Sequence, residues 1–299
     1  MARLASEFAD RGTWFFGVWQ PDRVRDGDTE LAFADAPPDM LAQEPSCWML
    51  APGAVWHGFP GLEPGYCMLD PIKVTVTTPG MAPSGELTEQ GIPAVLLTAY
   101  LAEHGIVAEK TANFSILFLF SIGVTKGKWG SLVNALLEFK RDYDANAPLS
   151  RAMPALVQGN PSAYGIIGLR DLASRMFTAL REAKIPELLQ AAYDVEPQAL
   201  LTPADAYDRL VRGNGAVAGI AGLAGGIAAT AIVPYPPGIP LVMPGEALGS
   251  ESGPILNYLA ALQAFDQQFA AFAHDTHGIE IRDGDYLGMR FSEFPAALK

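Results

Sequence analysis

The clearest hydrophobic periodicity lies between Asp70 and Tyr143. Residues 73–78 (KVTVTT) alternate and are β-branched, which predicts a strand ended by Pro79 and Gly80. Residues 91–105 (GIPAVLLTAYLAEHG) predict a helix, with Pro93 in its first turn and Gly105 as its C-terminal stop. Residues 106–109 (IVAE) and 115–121 (SILFLFS) predict two further strands. From Thr125, an N-capping residue type, Trp129, Leu132, Val133, Leu136, Leu137 and Phe139 recur at helical spacing as far as about Tyr143. Strand, helix, strand, strand, helix is the order of a small open α/β sandwich.

The flanks are less regular. Residues 3–11 predict a short amphipathic helix, and the acidic, proline-rich stretch 22–45 predicts a loop. SCWML (46–50) and AVWHGF (54–59) predict short strands between Pro-Gly turns. Residues 144–154 (DANAPLSRAMP) suggest a boundary, and mostly helices follow it. These span about 169–183, 186–194, a stretch capped by Thr202 with Pro203 at its first position and stopped at Gly213, and 253–271. The Gly/Ala-rich run 213–226 predicts a flexible connector, and residues 285–291 a last strand. The expected fold class is α/β (α+β), an α/β sandwich followed by a mixed, helix-rich part.

Composition narrows the classes of function. The 299 residues are 49% hydrophobic and 18% charged, an ordinary globular balance. A formal charge of −13 repels phosphate backbones and argues against a nucleic-acid partner; in its simplest role it aids solubility. Cys47 and Cys67 form neither a disulfide framework nor a zinc spacing, which predicts a reduced, cytoplasmic protein. No apolar run at the N-terminus suits a signal peptide, and ILFLF (116–120) is far too short to span a bilayer, so no membrane partner is expected.

Candidate chemistry is sparse. Gly213, Gly215 and Gly219 have the wrong spacing for a dinucleotide loop, and a helix precedes them. His274 and His277 (HDTH) have no HExxH glutamate and no third ligand nearby, so a polar surface loop is expected rather than a metal site. His57 and His104 stand alone and are expected to be structural. Asp70 and Lys73 predict an ion pair at a strand entry. Glu109 and Lys110 end a short strand beside the apolar ILFLF segment; a surface salt bridge and a cleft-facing carboxylate both remain open there. The residues taken alone reach no named reaction.

Nine blocks together carry a resemblance. They are WFFGVWQP (14–21), WHGF (56–59), LDPIKVTVTTPG (69–80), GIPA (91–94), HGIVAEKT (104–111), LFLFSIGVTKGKWG (117–130), FKRDYDAN (139–146), TPADAY (202–207) and VPYPPGIPLVMPGE (233–246). In this order the chain resembles the C-terminal portion of the bacterial inducible arginine and lysine decarboxylases and their ornithine relatives. The resemblance implies a fold-type-I pyridoxal phosphate (PLP) enzyme. It implies that residues 1–146 are an aminotransferase-like small subdomain and residues 147–299 the family's C-terminal domain. The family's cofactor lysine follows a Ser-x-His motif upstream, and no His-Lys dipeptide occurs here. The PLP lysine is therefore expected to be absent, no catalytic, cofactor-binding or metal-ligating residue is assigned, and the chain alone is expected to be inactive.

What carries over by resemblance is Glu109, with Thr111 beside it, as substrate-binding residues near the distal amine. The implied partners are a basic amino acid, the PLP-binding large domain of the same enzyme, and further copies in a dimer or decamer. Polyamine biosynthesis and acid resistance are the implied roles. The alternative is a non-catalytic oligomerisation or regulatory module that binds a full-length decarboxylase. Two features complicate the picture. Where the family has Glu-Gly-Arg before Ile-Ala-Ala, this chain has Ala224, Gly225 and Gly226. GVTKGKWG resembles the arginine enzymes, whereas AEKT around Glu109 resembles the lysine and ornithine enzymes, so the substrate is left open.

Overall fold

The structure is a computed structural model describing residues 2–82 and 85–292. Two compact units divide between Phe177 and Thr178. The first begins with α1 (Ala2–Asp10), β1 (Gly17–Val18), β2 (Arg23–Asp26), β3 (Thr29–Ala32) and α2 (Pro38–Gln43). There follow β4 (Lys73–Thr77), α3 (Ala94–Glu103), β5 (Lys110–Thr111), β6 (Ser115–Leu119) and α4 (Lys126–Asp144). Three short helices, α5 (Leu149–Ala152), α6 (Pro154–Gly159) and α7 (Pro161–Tyr164), lead into α8 (Leu169–Glu182), within which the division falls.

The expected strand-helix-strand-strand-helix order is present as β4, α3, β5, β6 and α4. Its sheet is antiparallel throughout, in the order β1-β4-β6-β5. β4 and β6 pair over five residues, from Lys73 opposite Leu119 to Thr77 opposite Ser115. α3 packs on β5, β6 and α4. Val76, Leu96, Leu97, Ile116, Leu136 and Phe139 are inaccessible to solvent, so the apolar stripes read in the sequence do form a core. Phe139 touches the rings of Phe15, Phe16, Tyr100 and Tyr143, which ties the aromatic N-terminal block to α4.

Several local expectations are corrected. Residues 106–109 are not a strand. α3 ends in a Schellman turn, in which Ile106 N–H bonds Leu101 O and Gly105 N–H bonds Ala102 O, with Gly105 at φ +73°. Those bonds use the backbone that a strand would need, and pairing starts only at Lys110. SCWML forms a single 3-10 turn over Pro45–Trp48, and AVWHGF folds into consecutive turns. Residues 22–45 are not a bare loop. β2 and β3 form a hairpin, and Val24, Phe33, Ala36 and Cys47 make a small core beneath it. Residues 144–154 are ordered: Leu149 N–H bonds Ile167 O and Leu169 N–H bonds Ala147 O.

The second unit contains α9 (Ile185–Tyr193), α10 (Pro203–Val211), β7 (Ala216–Gly219), α11 (Ile220–Leu223), β8 (Gly226–Ala228), β9 (Val233–Tyr235) and β10 (Ala247–Leu248). α12 (Gly253–Gln268), β11 (Asp275–His277), β12 (Ile279–Arg282) and β13 (Asp285–Phe291) complete it. α12 packs on α9. β13 is the central strand, paired with β7, β8 and β12. The predicted flexible connector is therefore ordered. A small residue on the partner strand lets the two lie close: a Cβ on Gly288 of β13, opposite Ala218, would lie 2.9 Å from Leu223 Cδ1.

Candidate functional site

Glu109 sits in a bend immediately before β5, on the edge of the four-stranded sheet. Its backbone N–H donates to Leu117 O at 2.9 Å, while its side chain is exposed. Among the described residues no hydrogen bond or ion pair occupies its carboxylate; the surface salt bridge left open by the sequence does not form. Thr111, two residues on, is half-buried, and its hydroxyl lies 2.8 Å from that of Thr98 on α3. The structure thus brings Glu109 and Thr111 onto one short edge segment, one with a free carboxylate and the other tied to a helix. Thr98 was missed in the sequence, where it is the single threonine of a largely apolar helical pattern.

Behind α3, an open polar cleft of about 380 Å³ is lined by Tyr100, Glu103, His104, Glu138, Arg141, Asp142 and Arg151 among others. Its groups are mutually satisfied. Tyr100 donates to Asp142 Oδ2 at 3.1 Å, and Arg151 meets Asp142 Oδ1 at 2.8 Å. Burial, and then the charge of Asp142, push the Tyr100 phenol well above its ordinary range. Glu103 accepts from the backbone N–H groups of Ala155 and Leu156, both at 3.0 Å. His104 Nδ1 donates to Tyr100 O at 2.9 Å, and its ring stacks on that of Tyr100. With its charges paired internally, the cleft acts as a clasp between α3, α4 and the start of α6.

The remaining candidates fall into structural places. His57 is nearly buried; its Nε2 donates to Ala51 O at 2.9 Å and its Nδ1 accepts from Phe59 N–H at 3.0 Å. Asp70 and Lys73 form the expected pair, at 3.9 Å with both side chains exposed, worth little in water. The HDTH segment is not a loose surface loop. The nearly buried Asp266 of α12 accepts from His274 Nδ1 at 2.7 Å, from His274 N–H at 2.9 Å and from the Tyr286 hydroxyl. β11 then pairs with β9. Cys47 is buried, which raises its thiol pKa, with Glu44 and Asp26 adding to the effect, and Cys67 is half-buried; both are free thiols. Among the described residues no group of three or more His, Cys, Asp or Glu could hold a metal ion, and no helix is long and apolar enough to cross a membrane.

At Gly226 the neighbouring strand comes close. A Cβ there would lie 2.7 Å from Arg290 Cδ, and Arg290 Nη1 donates to Ala224 O at 3.1 Å. The β13 arginine covers the position from the neighbouring strand.

Comparison with known proteins decides the family. Residues 2–128 match the Orn/Lys/Arg decarboxylase major domain, and residues 186–290 match the Orn/Lys/Arg decarboxylase C-terminal domain. The chain belongs to the Orn/Lys/Arg decarboxylase family. It is 47% identical to the biodegradative arginine decarboxylase of Escherichia coli over 96% of this chain and 38% of that protein. It is 46% identical to a lysine decarboxylase of Pseudomonas aeruginosa over 92% of this chain and 35% of that protein. The solved constitutive lysine decarboxylase of E. coli superposes with a TM-score of 0.85 at 36% identity, over 97% of this chain and 39% of that one. The chain thus spans little more than a third of the length of the relatives it matches.

Proposed function

We propose that this chain forms part of the substrate-pocket wall of a PLP-dependent decarboxylase that converts a basic amino acid to its amine and carbon dioxide. The observation that carries this is the Glu109 carboxylate, exposed and without a partner among the described residues, at the rim of an ordered sheet edge. A fixed carboxylate can hold the cationic end of an arginine, lysine or ornithine side chain by a charge-assisted hydrogen bond. Its distance from the reacting carbon then sets the chain length that fits. The relatives named for arginine and for lysine support those two as the first substrates to test.

PLP in such an enzyme supplies the electron sink for the carbanion left when carbon dioxide departs. It is held through a lysine amine in a desolvated pocket. The residues described here do not fit that task, because Lys73, Lys110, Lys126, Lys128 and Lys184 are exposed or half-buried, and the largely buried Lys140 is engaged by Asp144 and the Phe15 ring. The cofactor is therefore assigned to the large domain of the same enzyme. We further place the protein in the cytoplasm as a homo-oligomer, with a family-level division near residue 146. The segment before it would be the aminotransferase-like subdomain, and the segment after it would supply oligomer contacts.

Glu109→Gln in the complete, cofactor-loaded enzyme tests the assignment. Removing one charge from a bond worth about 1.5–3 kcal/mol should lower kcat/KM for the preferred substrate by about tenfold to a hundredfold, with the fold intact. Unchanged kinetics on arginine, lysine and ornithine alike would refute it.

A further inference from the structure

We infer that Thr98 is a positioning residue that sets the substrate selectivity of the site by holding β5, and so Glu109, against α3. The inference rests on the assignment of Glu109 to the substrate made above. β5 is two residues long and lies at the sheet edge, paired to β6 through Lys110 opposite Leu117 and Thr111 opposite Ile116, with one more backbone bond on its far side from Ala112 N–H to Ser115 O. Such a short edge strand is poorly fixed by its ladder alone. The segment before it leaves α3 at the Schellman turn of Gly105 and Ile106, and its tether to the sheet is the bond from Glu109 N–H to Leu117 O.

The hydroxyl pair Thr98–Thr111, at 2.8 Å, returns the chain to the same helix that it left. Glu109 is thereby carried on a closed loop with both ends anchored to α3. One anchor is the backbone turn at the C-terminus of α3, and the other is a side-chain bond from the middle of the helix. Both threonines are half-buried, so the bond is partly shielded from competing water, and each hydroxyl would lose its protein partner if the other were removed. Two β-branched residues with stiff χ1 rotamers give this contact a defined direction, which two apolar side chains in the same space would lack. The loop presents a carboxylate that must meet a cationic group at a fixed chain length. Its placement therefore affects binding of the substrate's far end more than chemistry at the reacting carbon.

Thr98→Val keeps the shape of the side chain and removes the bond. In the complete enzyme it should raise KM for the preferred basic amino acid by about threefold to tenfold, change kcat by less than about twofold, and narrow the discrimination among arginine, lysine and ornithine. Thr98→Ser, which keeps the hydroxyl, should stay near the parent enzyme. In a Glu109→Gln background, Thr98→Val should add nothing to KM, because the group it positions is already disabled. Hydrogen exchange on the 299-residue chain gives a readout independent of activity. The Glu109 amide should exchange faster in Thr98→Val, whereas the amide of Leu97 should not.

An unchanged KM and selectivity in Thr98→Val, or an equal effect with and without the Glu109 carboxylate, overturns the inference. If Glu109→Gln itself leaves kinetics intact, the functional assignment fails. If Glu109→Gln acts and Thr98→Val does not, only the role of Thr98 fails. Should valine disturb folding, Thr98→Ala carries the same test.

Discussion

At the scale of single residues, the side chains that matter here are those holding backbone in place. Asn146 has a positive φ of 45°, and its Oδ1 accepts from the N–H groups of both Arg170 and Asp171. Its Nδ2 donates to Asp171 Oδ2 at 2.9 Å. One side chain thus caps the first turn of α8 from the end of α4. Asn146→Ala loses the cap and also strains a left-handed backbone, so it should cost about 1–2 kcal/mol. Asn146→Gly should cost less than alanine, since glycine relieves the strain while still losing the cap. Urea unfolding of the three proteins gives the order, and alanine matching asparagine would refute this account. The sequence around Asn146 invited a boundary because Asp, Asn, Ala and Pro cluster there. A linker and a side-chain clasp draw on the same residue types, and only the partner at 170–171 distinguishes them. Glu109 was a candidate by resemblance alone, and the freedom of its carboxylate could not be read from the sequence. That freedom depends on which cations lie within reach in space.

At the scale of elements, the amphipathic helices were legible nearly to their ends, because burial period and capping chemistry act locally. α10 begins where Thr202 and Pro203 predict, and the Thr202 hydroxyl accepts from Asp205 N–H at 3.1 Å. α4 also begins after a threonine, Thr125, yet that side chain makes no cap bond. Thr202→Ala should therefore destabilise its unit by about 1 kcal/mol, and Thr125→Ala should be close to neutral. Thermal unfolding monitored by circular dichroism separates the two, and equal losses would contradict the difference in geometry. Short strands were less legible. Residues 106–109 are apolar enough to read as a strand, but the turn that ends α3 takes the Ile106 N–H, and contact with the sheet resumes only at the Glu109 N–H. The Gly/Ala-rich run read as a connector because glycine weakens a strand in isolation. It is ordered by β13, a partner about seventy residues away in the chain.

For the molecule as a whole, family membership and the lysine inventory point the same way. A chain whose described lysines are exposed or half-buried, save for Lys140, which is paired with Asp144, should not make a specific cofactor linkage by itself. Incubating the 299-residue protein with PLP, fixing it with borohydride and mapping the product should give scattered, low-level labelling. One dominant labelled lysine, together with turnover of a basic amino acid, would show that the chain is a competent enzyme alone. By itself the sequence determined the family, the long helices and the strands at β4 and β6. Local hydrophobic period and nine spaced motifs carry that information without knowledge of neighbours. Tertiary structure decided that the Gly/Ala run contains a paired strand, that His274 is anchored on a buried carboxylate, that Arg290 covers Gly226, and that Thr98 meets Thr111 two residues after a free Glu109 carboxylate. Each of these depends on pairing between residues distant in the chain, and such pairing is set by packing and hydrogen-bond satisfaction in three dimensions rather than by the pattern of any single segment.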